Sequence, residues 1–558
     1  MRMLQKWLAH KANQSVLFLL LGGLLFRSWV ALWLYPGFDE AYYYIYSINL
    51  DWSYFDHPVL VALMTGIGPW LTGEVSQFTI RLGALIVYTG SLILLYLTSA
   101  HLFCTQAARI SLAIATIIPI FQIGFGTLTL PDGPLMFFWT ASLYCAAHEF
   151  FPPSLWKPTA SDCTPNTQPS NFEPEQYRPS YRLALLGILV GLACLGKYHG
   201  FVLGLGLVGF CLTSSRYRRA LLSPWTGLSL ALFIITIFPI WFWNIQHDWV
   251  SFGFQLNRGV PKNDFDLLKV VLVFLVGIAY LFPTFGFALW WVSWRSVQAQ
   301  IKQLFSKKSS IEEGEFLQKQ LLILWVSLPL TVGFTLMGAY QQILPTWPMP
   351  GFWGLTLLLG QQAVIWQQYS RRWVQRWLNG SGIVVGTALL IALLHVATGT
   401  LQTGSRYALL GGFWQPQDDP STELIDIQQV RQGFAESPFL RQALDESSFV
   451  FTNGYYIAGQ IGMALIPLSD TPVTCFSPDM RGFAFWSKPD QWLGKDALYI
   501  TLDRFHQKKD LTERYQQYFK SLDEIGTVPI RRGGAITEVL HVYQAKTLLK
   551  PYPRPYGI

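Results

Sequence analysis

Stretches of about 20 apolar residues recur through the first 400 positions, and they leave few folds open. That is the length of α-helix needed to cross ~30 Å of hydrocarbon. Only helices and closed barrels satisfy every backbone polar group there. The blocks run approximately 15–35, 80–103, 110–126, 134–150, 183–196, 200–213, 227–243, 268–294, 320–338, 350–366 and 381–400. Of 558 residues, 51% are hydrophobic and 13% charged, against roughly 25% charged in soluble domains. The expectation is an α-helical polytopic membrane protein of about 11 transmembrane helices. The first block, Ser15–Leu34, is too long for a signal-peptide core and reads as a retained helix.

Loop charge orients the spans. With the N-terminus in the cytoplasm, 18 basic residues fall on the inner side, among them Arg109, Arg216 and Arg371. Only Lys197, Arg258 and Lys262 fall outside. Reading 183–213 as one helix would invert every later loop and destroy this bias, so two short helices meeting near Lys197 are expected. The net charge of +7 then sets topology and implies no nucleic-acid partner. Residues 1–400 form the transmembrane domain in this reading, interrupted by a Pro- and Ser-rich cytoplasmic linker at 151–182. Residues 401–558 are more polar. Short apolar runs at Ser448–Thr452, Ala497–Leu502 and Val539–Tyr543 indicate a soluble extracytoplasmic α/β domain.

The same topology brings the unusual loops to one face. The first carries Asp39 and Glu40, then Tyr54-Phe55-Asp56-His57-Pro58, with no Lys or Arg. Charge beside lipid is costly and usually functional. Asp39 fits an N-cap or a general base; Glu40 would face another side of the same helix. Asp56 and His57 fit a helix start or a phosphate contact in which Asp56 orients His57. Asp132, in Leu130-Pro131-Asp132-Gly133-Pro134, fits a tight turn or a second acidic site residue. Lys197 fits a snorkelling side chain or an anion ligand, and Arg258 shares the second reading. The spans look nearly free of charge, which favours chemistry at the surface over a flippase or transporter path through the membrane. A non-catalytic binding protein also stays open.

Together Asp39-Glu40-Ala41-Tyr42-Tyr43, Tyr54–Pro58, Pro131-Asp132-Gly133-Pro134, Gly196-Lys197-Tyr198 and Trp243–Arg258 resemble the polytopic GT-C glycosyltransferases. The branch resembled is that of the lipid A aminoarabinose transferase and the protein O-mannosyltransferases, glycosyltransferase families 39 and 83. The resemblance covers roughly 15–365. It implies a polyprenyl-phosphate sugar donor and a glycolipid, polysaccharide or protein acceptor at the extracytoplasmic face of a cell membrane. It implies an inverting transfer with Asp39 as base and Asp132 as second acidic residue. Glu40, Asp56, His57, Lys197, Tyr198 and Arg258 become substrate- or phosphate-binding candidates. His57 stands where many relatives carry Lys, and Val59 where they carry a second Pro. No cofactor is required, although Asp39, Asp56 and Asp132 offer oxygen ligands suited to Mg²⁺ or Mn²⁺.

Overall fold

The structure, a computed structural model, describes residues 11–152, 176–261, 263–305 and 311–556. Lys262 and most of the expected 151–182 linker lie outside these residues. The apolar blocks form helices, in chain order α1 (Lys11–Trp33), α2 (Phe38–Ile48), α3 (Leu60–Thr72), α4 (Leu82–Leu102), α5 (Thr105–Ile117) and α6 (Asp132–Phe150). There follow α7 (Arg182–Gly196), α8 (Gly200–Thr213), α9 (Pro224–Thr236), α10 (Phe238–Gln246), α11 (Val250–Gly259) and α12 (Leu267–Tyr280). The long helices α13 (Pro283–Phe305), α14 (Ile311–Met337) and α15 (Met349–Thr398) complete the bundle.

Among the described residues, four helices are long and apolar enough to cross a bilayer, or six if the bent pairs α9–α10 and α12–α13 each count once. The blocks divide for identifiable reasons. Block 110–126 stops at Ile117, before Pro119, and resumes as a π turn at Phe121–Phe125. The last two blocks fuse into α15, which breaks at Ser370 (φ −156°, ψ 94°), beside Arg371 and Arg372. The segment 183–213 is two short helices meeting at Lys197, as the charge bias requires. Helix α3 is absent from the list of blocks because its 13 residues are too few to cross alone.

The expectation of nearly charge-free spans fails at Arg27. This residue of α1 is fully buried and donates to Gln122 Oε1 (3.1 Å) and Thr89 Oγ1 (3.0 Å). Neutral amide and hydroxyl oxygens, with the Tyr88 ring 4.9 Å away, take the place of a carboxylate.

The C-terminal domain carries α16 (Ile427–Glu436), α17 (Pro438–Glu446), β1 (Phe449–Thr452), α18 (Tyr455–Leu465), β2 (Val473–Cys475), β3 (Ala497–Leu502), β4 (Phe519–Arg532) and β5 (Ala535–Leu548). Its sheet has the order β2-β1-β3-β5-β4. Strands β2, β1 and β3 run parallel, and β5 and β4 form an antiparallel hairpin closed at Gly533 and Gly534. Charge, Pro529 and two bulges blunt β4 as an edge strand.

Helix α2 belongs to the core of this domain. Tyr42, Tyr43 and Tyr46 pack in one buried cluster with Ile457, Ile461 and Phe483. The approach is close enough to demand glycine: a Cβ on Gly459 of α18 would lie 2.7 Å from the Tyr42 nitrogen. The acidic helix is thus clamped between the bundle and the sheet domain.

Candidate active site

The acidic helix presents its two carboxylates to opposite environments. Gly37 is the N-cap of α2, which puts Asp39 at the second helical position and Glu40 at the third. Glu40 is 1% exposed and saturated. It accepts from Arg81 Nε (2.8 Å) and Nη2 (2.6 Å), Thr129 N–H (3.0 Å) and Gly37 N–H (3.0 Å). Arg81 also donates to the carbonyls of Ala31, Leu34 and Tyr35. With about four acceptor sites on a carboxylate, Glu40 has none left for a substrate; it fixes α2 to α1 and α4.

Asp39 is not a cap. Its side chain is open to solvent, yet protein crowds it closely enough that burial pushes its carboxyl above the usual value, Arg481 opposing and Asp56 and Glu40 adding to the rise. Asp39, Asp56, His57, Lys197, Arg258 and Arg481 form one electrostatically linked cluster, here called the recess. Among the described residues Asp39 has no hydrogen-bond or ion-pair partner.

The other two acidic candidates are neutralised. Asp132, 4% exposed, takes Lys197 Nζ at 2.9 Å on both carboxylate oxygens. Gly196 permits this, since a Cβ there would lie 2.6 Å from the Leu135 nitrogen. Asp56 is fully buried, with Arg481 Nη1 at 2.9 Å on Oδ2 and the hydroxyls of Tyr42 and Tyr46 on Oδ1. Burial alone would raise the Asp56 carboxyl; Arg481 and the hydrogen bonds hold it below the ordinary carboxylate range.

Asp56 therefore does not orient His57, contrary to expectation. The His57 Nδ1 is buried without a hydrogen-bond partner. Burial pushes the His57 pKa down to about 3, with Lys197, Arg258 and Arg481 adding to the fall against Asp56. His57 is thus a neutral wall of the recess. No helix begins at Pro58, since α3 starts at Leu60. Tyr198 also has its hydroxyl engaged, 2.8 Å from Ser251 Oγ, which holds α11 in place. His199, next in sequence, lies against Phe334 and Trp347 with its Nε2 unpartnered.

Arg258 lies over the Phe254 ring at 4.2 Å, and Arg481 approaches the same ring at 5.7 Å. No carboxylate pairs with Arg258 among the described residues. Burial and the repulsion of Arg481 lower its pKa. Asp56 is matched to Arg481 and Asp132 to Lys197, while Asp39 and Arg258, which both interact with Asp56 and Arg481 electrostatically, have no ion-pair partner among the described residues. Asp39, Asp56 and Asp132 do not fit a single Mg²⁺ or Mn²⁺ ion as arranged, because two of the three are committed to buried cations.

Arg481 is the residue that sequence reading missed. It sits in the C-terminal domain, 425 positions from Asp56, in the turn-rich stretch Ser477-Pro478-Asp479-Met480-Arg481-Gly482. It adopts a left-handed backbone (φ 47°). Tyr556 braces this turn, its hydroxyl accepting from Arg481 N–H (3.1 Å) and donating to Asp479 Oδ1 (2.6 Å). The only local signal is a lone Arg before Gly in a run of aromatic residues.

Comparison with known proteins finds similarity in both sequence and fold. Residues 56–150 and 175–243 match the family described as dolichyl-phosphate-mannose-protein mannosyltransferase. The chain is 22% identical over 339 residues to the lipid A galacturonosyltransferase RgtD of Rhizobium johnstonii, a match covering 57% of this chain and 59% of that protein. The fold is similar to ArnT from Cupriavidus metallidurans bound to undecaprenyl phosphate, with TM-score 0.57 and 12% identity over 96% of this chain and 98% of that one. ArnT in its apo state gives TM-score 0.57 and 13% identity, over 95% and 98%. The chain thus shares the fold of ArnT over nearly its whole length and, over residues 56–150 and 175–243, is similar to the protein mannosyltransferase family.

Proposed function

We propose that this protein moves a sugar from a polyprenyl-phosphate donor to an acceptor hydroxyl, at the extracytoplasmic face of a cell membrane, with inversion at the anomeric carbon. The donor class is that named for the mannosyltransferase family and for the ligand of the ArnT structure; a glycolipid acceptor follows the lipid A substrate named for RgtD. The observation that carries the reading is the remainder left after ion pairing: Asp39 and Arg258, both within electrostatic reach of Asp56 and Arg481, have no ion-pair partner among the described residues.

In this mechanism the acceptor oxygen attacks the anomeric carbon while Asp39 takes its proton. The bond from that carbon to the phosphate oxygen breaks, and the lipid phosphate leaves with the electron pair. Arg258 offsets the charge that develops on the leaving group, the task for which a fixed guanidinium in a water-poor site is best suited. Lys197 acts chiefly through Asp132, so the pair shapes the recess more than it charges it. Neutral His57 offers one hydrogen bond and no charge. Fixing acceptor and donor in line lowers the barrier further, since orientation removes the entropy of encounter.

The test is transfer of labelled sugar from polyprenyl-phosphate donors by purified protein, wild type beside Asp39→Asn, with envelope extract as the acceptor source. Transfer that collapses in the variant while donor binding persists supports the mechanism, and the labelled product identifies the acceptor. Normal transfer by Asp39→Asn overturns it.

A further inference from the structure

Beyond the last span, the chain makes a loop whose apolar residues point outward. Tyr407, Leu409, Leu410, Phe413 and Trp414 are all exposed, Leu410 at 93%. Residues 407–417 contain no charge, and Arg406 stands exposed at the loop's edge. Single exposed apolar side chains are ordinary; five within eight positions form a patch of the kind that marks a binding surface.

The loop is rigidly built. Leu410, Gly411 and Gly412 take left-handed conformations (φ 53°, 84° and 87°), which turn the chain sharply. Its base is tied to the end of α15: Ser405 Oγ donates to the Thr398 carbonyl (2.7 Å), Leu409 N–H to the Thr400 carbonyl (2.8 Å) and Phe413 N–H to the Leu401 carbonyl (2.8 Å). Trp414 packs edge-on to His395 of α15, 5.6 Å between ring centres. The last part of α15 exposes Ile383, Val384, Ile391 and Leu394, the apolar face that lipid covers in a spanning helix. The patch continues that face.

We propose that the loop 405–414 inserts into the lipid leaflet on the side of the C-terminal domain. Leu409, Leu410 and Phe413 enter the acyl region. Tyr407 and Trp414 take the interfacial level where amphipathic rings concentrate, and Arg406 meets lipid phosphate. The loop also accepts the tip of the β4–β5 hairpin, where Arg406 N–H donates to the Gly533 carbonyl (2.9 Å). Insertion therefore fixes the height of the sheet domain above the bilayer, and with it the approach of Arg481 to Asp56.

The full chain carrying Leu410→Cys or Phe413→Cys, labelled with an environment-sensitive fluorophore and placed in phosphatidylcholine–phosphatidylglycerol nanodiscs, tests this. Among the described residues the free thiols Cys145, Cys194, Cys211 and Cys475 are buried, as is Cys104; Cys163 lies outside them and is replaced by Ser in every labelled variant, so that the introduced cysteine labels first. Lys495→Cys provides the comparison. It lies at the far end of the β4–β5 hairpin, whose 14-residue strands span about 45 Å at 3.3 Å per residue. Quenching at 410 and 413 by nitroxide-labelled lipid but not by aqueous iodide, with the reverse at 495, is the expected result. Iodide quenching at 410 and 413 overturns the proposal. Protection from both quenchers also overturns it, because a second copy or another protein then covers the loop.

Discussion

Arg481 reaches out of the C-terminal domain to place its Nη1 2.9 Å from Oδ2 of Asp56, a fully buried carboxylate that already holds the hydroxyls of Tyr42 and Tyr46. This pair joins the sheet domain to the recess. Removing one partner of a buried pair strands the other charge, at a cost of about 3–5 kcal/mol. Arg481→Ala should therefore lower thermal stability and abolish most transfer, and adding Asp56→Asn should restore stability in part. Equal losses in the single and double variants would show that the two residues are not coupled. The acid response follows from the lowered Asp56 carboxyl. Its stabilisation is complete above the ordinary value of 3.8 and is lost as pH falls through the lowered one, so domain docking should outlast exposed carboxylates on acidification. Asp56→Asn should remove that part of the acid transition in a pH-dependent unfolding series.

Asp39→Asn should act on rate and barely on stability, since the carboxylate has no partner to lose. Losing a general base costs about 10²–10⁴-fold in turnover. Burial raises the Asp39 carboxyl above 3.8, and the base works only when deprotonated. Activity should fall with acidification through a midpoint above that value, and the residual activity of Asp39→Asn should lack this limb. A pH–rate profile of both proteins decides it.

Much of this site was legible from residue spacing, and the illegible part has a physical reason. Charge bias along the loops placed Asp39, Asp132, Lys197 and Arg258 on one face, and the described contacts bring these segments together. Which carboxylate stays free was not legible. That depends on pairings across 41 positions for Glu40–Arg81, 65 for Asp132–Lys197 and 425 for Asp56–Arg481. Local spacing carries no information about such partners. In the tail, β1, β3 and β5 showed as short apolar runs, whereas the edge strand β4, with Lys520, Asp523, Glu524 and Pro529, looks like a loop by composition.

Asp132→Asn and Lys197→Ala should be destabilising by about 3–5 kcal/mol each, as single members of a buried pair. Asp132→Asn should be the more informative. It frees the Lys197 ammonium beside the donor phosphate, so donor KM should fall even as stability falls. Lys197→Ala should raise donor KM and leave Asp132 unpaired. Donor titrations with melting curves on the same preparations separate the two effects. A rise in KM for both variants would mean that the pair serves only to shape the recess.

Arg258→Ala should mainly weaken the grip on the lipid phosphate. The guanidinium has no carboxylate to abandon, so the melting temperature should change little. A charge-assisted hydrogen bond is worth about 1.5–3 kcal/mol, which corresponds to roughly a 10- to 150-fold loss of kcat/KM. Arg258→Lys should recover only part of it, because a point charge replaces a planar fork. Intact kcat/KM in Arg258→Ala would remove Arg258 from the phosphate site.

His57→Lys gives the last test, because it changes the recess by one charge. In the wild type, burial holds His57 at a pKa of about 3, so at neutral pH it brings no charge near the phosphate. A lysine there joins Lys197, Arg258 and Arg481, all of which act on this position electrostatically. Without donor, an added cation is repelled and desolvated, and the melting temperature should drop. With donor, the lipid phosphate supplies the missing counter-charge, so the variant should gain more stability on donor addition than the wild type does and show a lower donor KM. His57→Gln, uncharged and still able to hydrogen-bond, should behave like the wild type in both respects. If His57→Lys loses stability and gains nothing from donor, the phosphate does not sit within reach of position 57, and the leaving group must lie nearer Arg258 alone.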